Sequence, residues 1–306
     1  MAIASDILKR IGGTGLIELR RIKPGNGVRI LLKLESENPT GSMKDRMALA
    51  IIEAAEADGR LKPDGAVVEY TGGSTGVSLA LVCAVKGYPL DIVTSDAFAR
   101  EKLLHMEALG ARLHVIKSES GRMTEKLTRD MIAAAGEIAA HKGSFWADQM
   151  NNRDQLAAYH AMADEILRDT GGRVDAFVQS VGTAASLRGI SESLPAQGGG
   201  TQIVAVEPAE SAVLSGGPSG AHRIDGIGAG YVVPLWRPEL AGRIERVSTE
   251  DAKAMTQRLA REEGLFAGTS TGANVAAALR VAQDLPPGAT IVTVMCDTGM
   301  KYLSKG

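Results

Sequence analysis

The residue best placed to do chemistry is Lys44, in the run Glu37-Asn38-Pro39-Thr40-Gly41-Ser42-Met43-Lys44-Asp45-Arg46. Pro39 and Gly41 predict a turn, after which the chain enters a helix near Lys44. A lysine there points its amine toward the loop, where it is able to form an imine with an aldehyde. Its positive charge at a helix N-terminus is unfavourable. Taken alone, a lysine is far more often a solvated surface residue. Ser42 and Lys44 also make a Ser-x-Lys pair, one residue short of the Ser-x-x-Lys of penicillin-binding hydrolases.

Three glycine-rich runs are the next candidates. Thr71-Gly72-Gly73-Ser74-Thr75-Gly76 follows a predicted strand and opens a predicted helix. Its main-chain N–H groups and the hydroxyls of Thr71, Ser74 and Thr75 suit a carboxylate. The same run matches Gly-x-Ser-x-Gly, the nucleophile elbow of α/β-hydrolases, so a serine hydrolase using Ser74 is a rival reading. Gly268-Thr269-Ser270-Thr271-Gly272 matches that pattern too, which shows how cheaply glycine-rich chains produce it. A hydrolase also needs a late histidine, yet the last one, His222, precedes a further strand–helix unit. Val181-Gly182-Thr183-Ala184-Ala185-Ser186 again joins a strand to a helix, with small residues that let amides approach an anion. It lacks the Gly-Lys-[Ser/Thr] of a P-loop, and no intact Gly-x-Gly-x-x-Gly fingerprint follows a predicted strand.

The elements that must hold these loops alternate along the chain. β-Branched runs predict strands at 28–34, 66–70, 90–94, 112–116, 176–179, 203–207 and 290–295. Between them, helical patterns cover 45–57, 76–86, 97–109, 123–141, 153–167, 184–193, 249–263 and 273–283. Ser248 or Thr249 is suited to cap the helix at 249, and Glu250 and Asp251 suit its positive end. Segments 196–200 and 215–220 read as loops. Strand–helix repetition implies βαβ units and a mostly parallel sheet covered on both faces. In such sheets ligands sit where loops leave the carboxyl ends of strands, which is where the glycine-rich runs fall.

The 306 residues suffice for one large or two moderate domains. A charged fraction of 23 % and a hydrophobic fraction of 44 % are ordinary for a soluble enzyme. A net charge of −2, without blocks of like charge, argues against a nucleic-acid surface or a polybasic membrane anchor. The N-terminus shows no signal-peptide pattern, and no apolar run is long enough to span a bilayer. Cys83 and Cys296, far apart, point to a reducing, cytoplasmic compartment. His105, His114, His141, His160 and His222 never recur at helical spacing and no Cys-x-x-Cys occurs, so no metal site is expected.

Taken together, these loops resemble the fold-type II pyridoxal-phosphate (PLP) enzymes, and among them the cysteine synthase (O-acetylserine sulfhydrylase) and cystathionine beta-synthase family. The resemblance covers nearly the whole chain. It opens at Ile11-Gly12-Gly13-Thr14-Gly15-Leu16, similar to the family's Ile-Gly-Asn-Thr-Pro-Leu. It continues through 38–46, the family's Asn-Pro-x-x-Ser-x-Lys-Asp-Arg, and closes at Lys301-Tyr302-Leu303-Ser304. The resemblance implies a tryptophan synthase beta-like α/β fold of two three-layer αβα domains with mostly parallel sheets. A smaller mobile domain, 40–145, would be inserted into a larger one made of 1–39 and 146–306, with the cofactor in the cleft and closure over substrate.

It also implies roles. Lys44 is the catalytic residue, carrying PLP and then moving the proton at the substrate's Cα. Thr71, Gly72, Ser74 and Thr75 form the substrate-carboxylate loop, aided by Gln149. Gly182, Thr183, Ala184, Ala185 and Ser186 form the phosphate cup. Gly228, in Gly226-Ile227-Gly228-Ala229-Gly230, lines the site, and Ser270 bonds the pyridine nitrogen. A serine there does not enforce a protonated ring, so the cofactor is a moderate electron sink suited to β-elimination through an aminoacrylate.

Several positions depart from the family pattern. Gly72 replaces serine and Ser74 replaces the asparagine that orders the cofactor's ring oxygen. The change is expected to leave extra room beside the substrate. Ala184 and Ala185 replace glycines of the phosphate cup and fit only if neither needs positive φ. Gly13 and Gly15 replace asparagine and proline. The expected reaction is β-replacement of O-acetylserine by sulfide, giving cysteine and acetate. The alternatives are a cysteine desulfhydrase, another β-substituted alanine synthase, a serine/threonine dehydratase, or a non-catalytic PLP-binding paralogue. A homodimer and a serine acetyltransferase partner are also implied.

Overall fold

The computed structural model describes residues 3–119, 121, 124–198 and 200–305. Its strands are β1 (Leu16–Glu18), β2 (Arg29–Leu34), β3 (Val67–Tyr70), β4 (Leu90–Ser95), β5 (Arg112–Ile116), β6 (Phe145–Trp146), β7 (Ala176–Ser180), β8 (Gln202–Pro208), β9 (Arg243–Val247) and β10 (Thr290–Met295). The α-helices are α1 (Lys44–Ala57), α2 (Ser74–Lys86), α3 (Arg100–Ala108), α4 (Glu125–Lys142), α5 (Gln155–Thr170), α6 (Ala185–Gly198), α7 (Thr249–Arg258) and α8 (Thr269–Val281). Contacts divide the chain into two units. One holds residues 1–11, 38–155 and 301–306, the other 12–37 and 156–300.

The first unit is built on a parallel sheet in the order β5-β4-β3-β6. Val68 and Val93 are fully buried beneath Leu127, Met131 and Ala135 of α4, with Tyr70, Phe98, Ile116 and Trp146 packed around them. The second unit has the order β1-β2-β10-β7-β8-β9, parallel throughout except for β1. Thr290 of β10 pairs with Arg29 of β2, so strands from the two ends of the chain lie side by side. Ile30, Leu32, Val178, Val204, Val206 and Ile291 are buried there against an alanine-rich helix, α8. Such strands read as continuous apolar runs because helices cover both faces.

The strands not foreseen have physical reasons to be silent in sequence. β1 has three residues and β6 two, too short to show a period. β9, Arg-Ile-Glu-Arg-Val, is an edge strand rich in charges that pair locally, as Arg243 does with Glu245 at 2.6 Å. Helix ends shift as well. The run expected at 249–263 is α7 followed by a π-helical turn, Leu259–Glu263, ending at Gly264 with φ +72°. Ser248 is the cap, accepting the Asp251 N–H at 3.0 Å. The loop expected at 196–200 is helical to Gly198, and Gly199 lies outside the described residues, as does Met123 at the head of the helix expected from 123.

Lys33 is a cation on a central strand with none of its side chain exposed. Its Nζ donates to the Thr14 carbonyl at 2.6 Å and lies 2.7 Å from the Glu165 carboxylate of α5. Removing one partner of such a pair strands the other in the interior. Lys33→Met is therefore expected to lower stability by about 3 kcal/mol in denaturant unfolding. Combining it with Glu165→Leu should recover much of the loss, because no buried charge is then left unmatched.

Candidate active site

In the first unit, Lys44 is the first residue of α1 and is half-buried. Its backbone N–H donates to Ser42 Oγ at 3.2 Å, so Ser42 spends its hydroxyl as a local turn acceptor. The next residue, Asp45, is fully buried. Its carboxylate accepts from the Thr40 N–H at 2.7 Å, the Thr40 hydroxyl at 2.5 Å and the Ser78 hydroxyl of α2 at 2.6 Å. Burial pushes the Asp45 carboxyl up from its ordinary value, while the Ser78 and Thr40 bonds pull it back. One carboxylate thus ties the turn before Lys44 to the helix that begins at Ser74.

The Thr71–Thr75 loop leaves the carboxyl end of β3. Thr71 Oγ1 accepts the Gly73 N–H at 3.1 Å, and Ser74 and Thr75 form the first turn of α2. Thr75 donates to Gln149 Oε1 at 2.7 Å, and Gln149 Nε2 reaches the Tyr70 carbonyl at 3.4 Å. Lys44, Thr71, Gly72, Ser74, Thr75 and Gln149 therefore belong to one unit, with Gln149 clamped to the loop. Gly76 is explained by packing, since a Cβ there would lie 2.7 Å from Met106 Sδ of α3.

A residue that sequence reading missed holds Gln149 in place. Glu69, on β3 and fully buried, accepts the Gln149 N–H at 3.0 Å and the Tyr70 N–H at 2.9 Å. Asp148, before Gln149, has φ +44°, a left-handed conformation that asparagine and aspartate tolerate best among non-glycine residues. Burial pushes the Glu69 carboxyl up to about 8, against the pull of those two N–H groups. An acidic residue inside an otherwise apolar strand was the available signal.

Gly72 departs from the sequence expectation. The room expected beside it does not exist, because the Phe98 ring fills it: a Cβ at Gly72 would lie 1.8 Å from Phe98 Cδ2. Phe98 stays in the loop after β4 because α3 begins only at Arg100, not at 97.

The other expected positions lie in the second unit. Gly182 and Thr183 leave β7, and Ala185 and Ser186 start α6. A Cβ at Gly182 would come 2.5 Å from the Gly226 carbonyl, and the Gly228 N–H donates to the Val181 carbonyl at 3.1 Å. The 181–186 and 226–230 loops are thus laced together with no space for side chains between them. Gly228 has φ +65° and faces Pro208 and His222 closely. Thr183 Oγ1 accepts the Ala185 N–H at 3.3 Å, and Ser186 Oγ accepts from Gln179 at 2.9 Å. Both hydroxyls keep a proton to donate. Ala184 overturns the conformational expectation, because it sits at φ +70° although it is not glycine; Ala185 does not.

Ser270 lies in the first turn of α8, 4 % exposed, and its hydroxyl makes no hydrogen bond among the described residues. Gly272 is there for packing, since a Cβ would meet the Ala252 carbonyl of α7 at 2.1 Å. A bare-backbone loop at a helix N-terminus, flanked by hydroxyls, fits a phosphate, and an unspent buried hydroxyl fits a ring nitrogen. These residues suit PLP. Three histidines spend a ring nitrogen elsewhere: His114 on Asp91, His160 on Glu192 and His222 on the Gly228 carbonyl. The described residues contain no cluster able to hold a metal ion and no helix long and apolar enough to cross a membrane.

Comparison with known proteins adds independent findings. A family model described as pyridoxal-phosphate dependent enzyme matches residues 7–297. A cysteine synthase of Staphylococcus aureus is 38 % identical over 301 residues, 98 % of this chain and 95 % of the relative. The structure of O-acetyl serine sulfhydrylase isoform 3 from Entamoeba histolytica superposes with a TM-score of 0.93 at 40 % identity, covering 99 % of this chain and 91 % of that one. A hydrogen sulfide-producing enzyme from Fusobacterium nucleatum gives 0.91 at 34 % identity, covering 99 % of both chains.

Two outcomes follow from these geometries. Ala184→Gly is expected to stabilise the protein by up to about 1 kcal/mol, since a left-handed alanine is strained and glycine is not; Ala184→Val should destabilise it, and thermal unfolding of both checks this. Glu69 keeps in the fold a proton that an unfolded chain releases near its ordinary value of 4.5. Its contribution to stability is complete below that pH and is lost as pH rises to about 8, at up to about 1.4 kcal/mol per pH unit. Glu69→Gln has only one acceptor for two N–H groups and should be less stable than wild type near pH 5. The stability difference between wild type and variant should shrink from pH 5 to about 8, as denaturant midpoints would show.

Proposed function

Since this chain belongs to the pyridoxal-phosphate dependent enzymes, we propose that it performs β-replacement on an activated serine, joining O-acetylserine and sulfide into cysteine and acetate. The observation that carries this reading is the Asp45 carboxylate, which binds the turn before Lys44 and the helix of the Thr71–Thr75 loop as one piece. When bound, PLP supplies the electron sink that loosens the bonds at the substrate's Cα. Lys44 holds the cofactor through its amine and, once free, moves the proton at Cα. Thr71, Ser74 and Thr75 orient the substrate carboxylate, with Gln149 fixed beside them by Glu69. Gly182, Thr183, Ala184, Ala185 and Ser186 bind the phosphate mainly through main-chain N–H groups, and Gly228 keeps the neighbouring loop close. Ser270 offers its hydroxyl to the pyridine nitrogen without imposing a charge on it.

Release of sulfide from cysteine is the second reading. The observation in its favour is Gly72, where the hydroxyl of the family's serine is missing from the substrate loop. The relative from Fusobacterium nucleatum, called hydrogen sulfide-producing, supports it too. The proposal extends to a homodimer, a serine acetyltransferase partner and a cytoplasmic setting, the last supported by two buried cysteine thiols, Cys83 and Cys296. Smaller substrate-side and larger phosphate-side domains also belong to it, with closure over substrate.

Turnover of O-acetylserine with sulfide, set beside O-phosphoserine, serine and cysteine, separates the two readings; sulfide formed from cysteine alone would favour the second. Lys44→Ala should keep the fold and lose both the borohydride-fixed label and essentially all turnover. Peptide mapping that places the label on another lysine would sink the assignment.

A further inference from the structure

The second position of the Thr71–Thr75 loop has no side chain, and the space one would take is occupied. A Cβ at Gly72 would lie 1.8 Å from Phe98 Cδ2, 1.9 Å from Cγ and 2.4 Å from Cε2. The overlap is with the stiff root of an aromatic ring, so rotation about the ring axis does not relieve it. The loop that carries Phe98 is itself held. The Phe98 N–H donates to the Ser95 carbonyl at 3.2 Å and the Ala97 N–H to Ser95 Oγ at 3.3 Å. Asp96, between them, accepts from the Ser118 N–H at 2.8 Å and hydroxyl at 2.7 Å. The half-buried ring leans on the cluster of Val68, Val93 and Leu127. Phe98 is therefore a fixed wall at the point where the family's loop carries a serine.

We propose that Phe98 is a specificity-determining residue, whose ring takes the place of the side chain absent at Gly72 and selects the substituent on the substrate's Cβ. This rests on reading Thr71–Thr75 as the substrate loop. The ring provides bulk and an apolar face but no hydrogen-bond donor. An anionic substituent, such as a phosphate ester, would be desolvated against it without a partner. A neutral ester loses less, and a sulfur substituent gains a favourable contact with the ring. The selected substrates are alanines bearing a neutral or sulfur-linked Cβ group.

The test uses purified holoenzyme of wild type, Phe98→Ala, Gly72→Ser and the double variant. Four quantities are read: bound-cofactor absorbance, thermal midpoint, and kcat/KM for O-acetylserine and for O-phosphoserine. Gly72→Ser alone should lower the midpoint, and the same change in the Phe98→Ala background should cost much less. Phe98→Ala should raise kcat/KM for O-phosphoserine relative to O-acetylserine by about tenfold, mainly through KM. Phe98→Met, flexible yet similar in volume, takes its place if Phe98→Ala does not fold. A wild-type midpoint for Gly72→Ser, or an unchanged substrate ratio in a Phe98 variant that retains cofactor, overturns the role given to Phe98. Failure of wild type to turn over any β-substituted alanine overturns the substrate-loop reading and this inference with it, whereas the midpoints would then report packing alone.

Discussion

Asp45 is buried at the start of α1, where a carboxylate must be matched by donors or give up its charge. Three donors meet it, two from Thr40 and one from Ser78. The first two fix the Pro39–Gly41 turn, and the third fixes α2. Any movement of the lysine turn away from the glycine loop would leave a buried carboxylate short of a partner. That cost makes the spacing between Lys44 and Thr71–Thr75 a property of the fold instead of a flexible average. The lone acidic residue after the lysine is thus as structural as the lysine is chemical.

Glu69 repeats the device one layer away. It gathers the Tyr70 and Gln149 N–H groups, so that a turn far along the chain is held against the end of β3. Gln155 adds bonds to the Gln149 and Asn152 carbonyls at 2.7 and 2.6 Å. The second unit relies on a different principle. There the 181–186 and 226–230 loops are fixed by close backbone approach, and Gly182 is required because the Gly226 carbonyl stands where its Cβ would be. Polar anchoring governs one set of site residues and steric exclusion the other.

Much of this was legible in the sequence. The long central strands announced themselves by β-branched runs, and the lysine segment with the glycine loop after it carried the family. What stayed hidden has common causes. The glycines around Ser74 and Ser270 predict loops, yet both serines lie in first turns of helices, because Gly76 and Gly272 serve helix contacts and do not break the chain. Glu69 and Phe98 could not be found by motif, since their importance lies in what they touch across long sequence distances. The residue type at 184 predicts negative φ, but the strand-to-helix geometry around Ala184 overrides the conformational preference of alanine. Side chains that fill space left by others leave no pattern of their own.

The pairing of β2 with β10 sets an order of assembly during synthesis. The first unit's strands, β3 to β6, are all made within one stretch of chain, so that sheet is complete long before β10 is made. β2 precedes them but finds its parallel neighbour only when Thr290–Met295 emerges. Until then its apolar residues, Ile30 and Leu32 among them, have only the three-residue β1 to cover one edge. An early strand waiting for a late one is slow to close and open to wrong partners. A chain arrested before β10 would present that unpaired edge to chaperones, so a late strand decides whether an early one is buried.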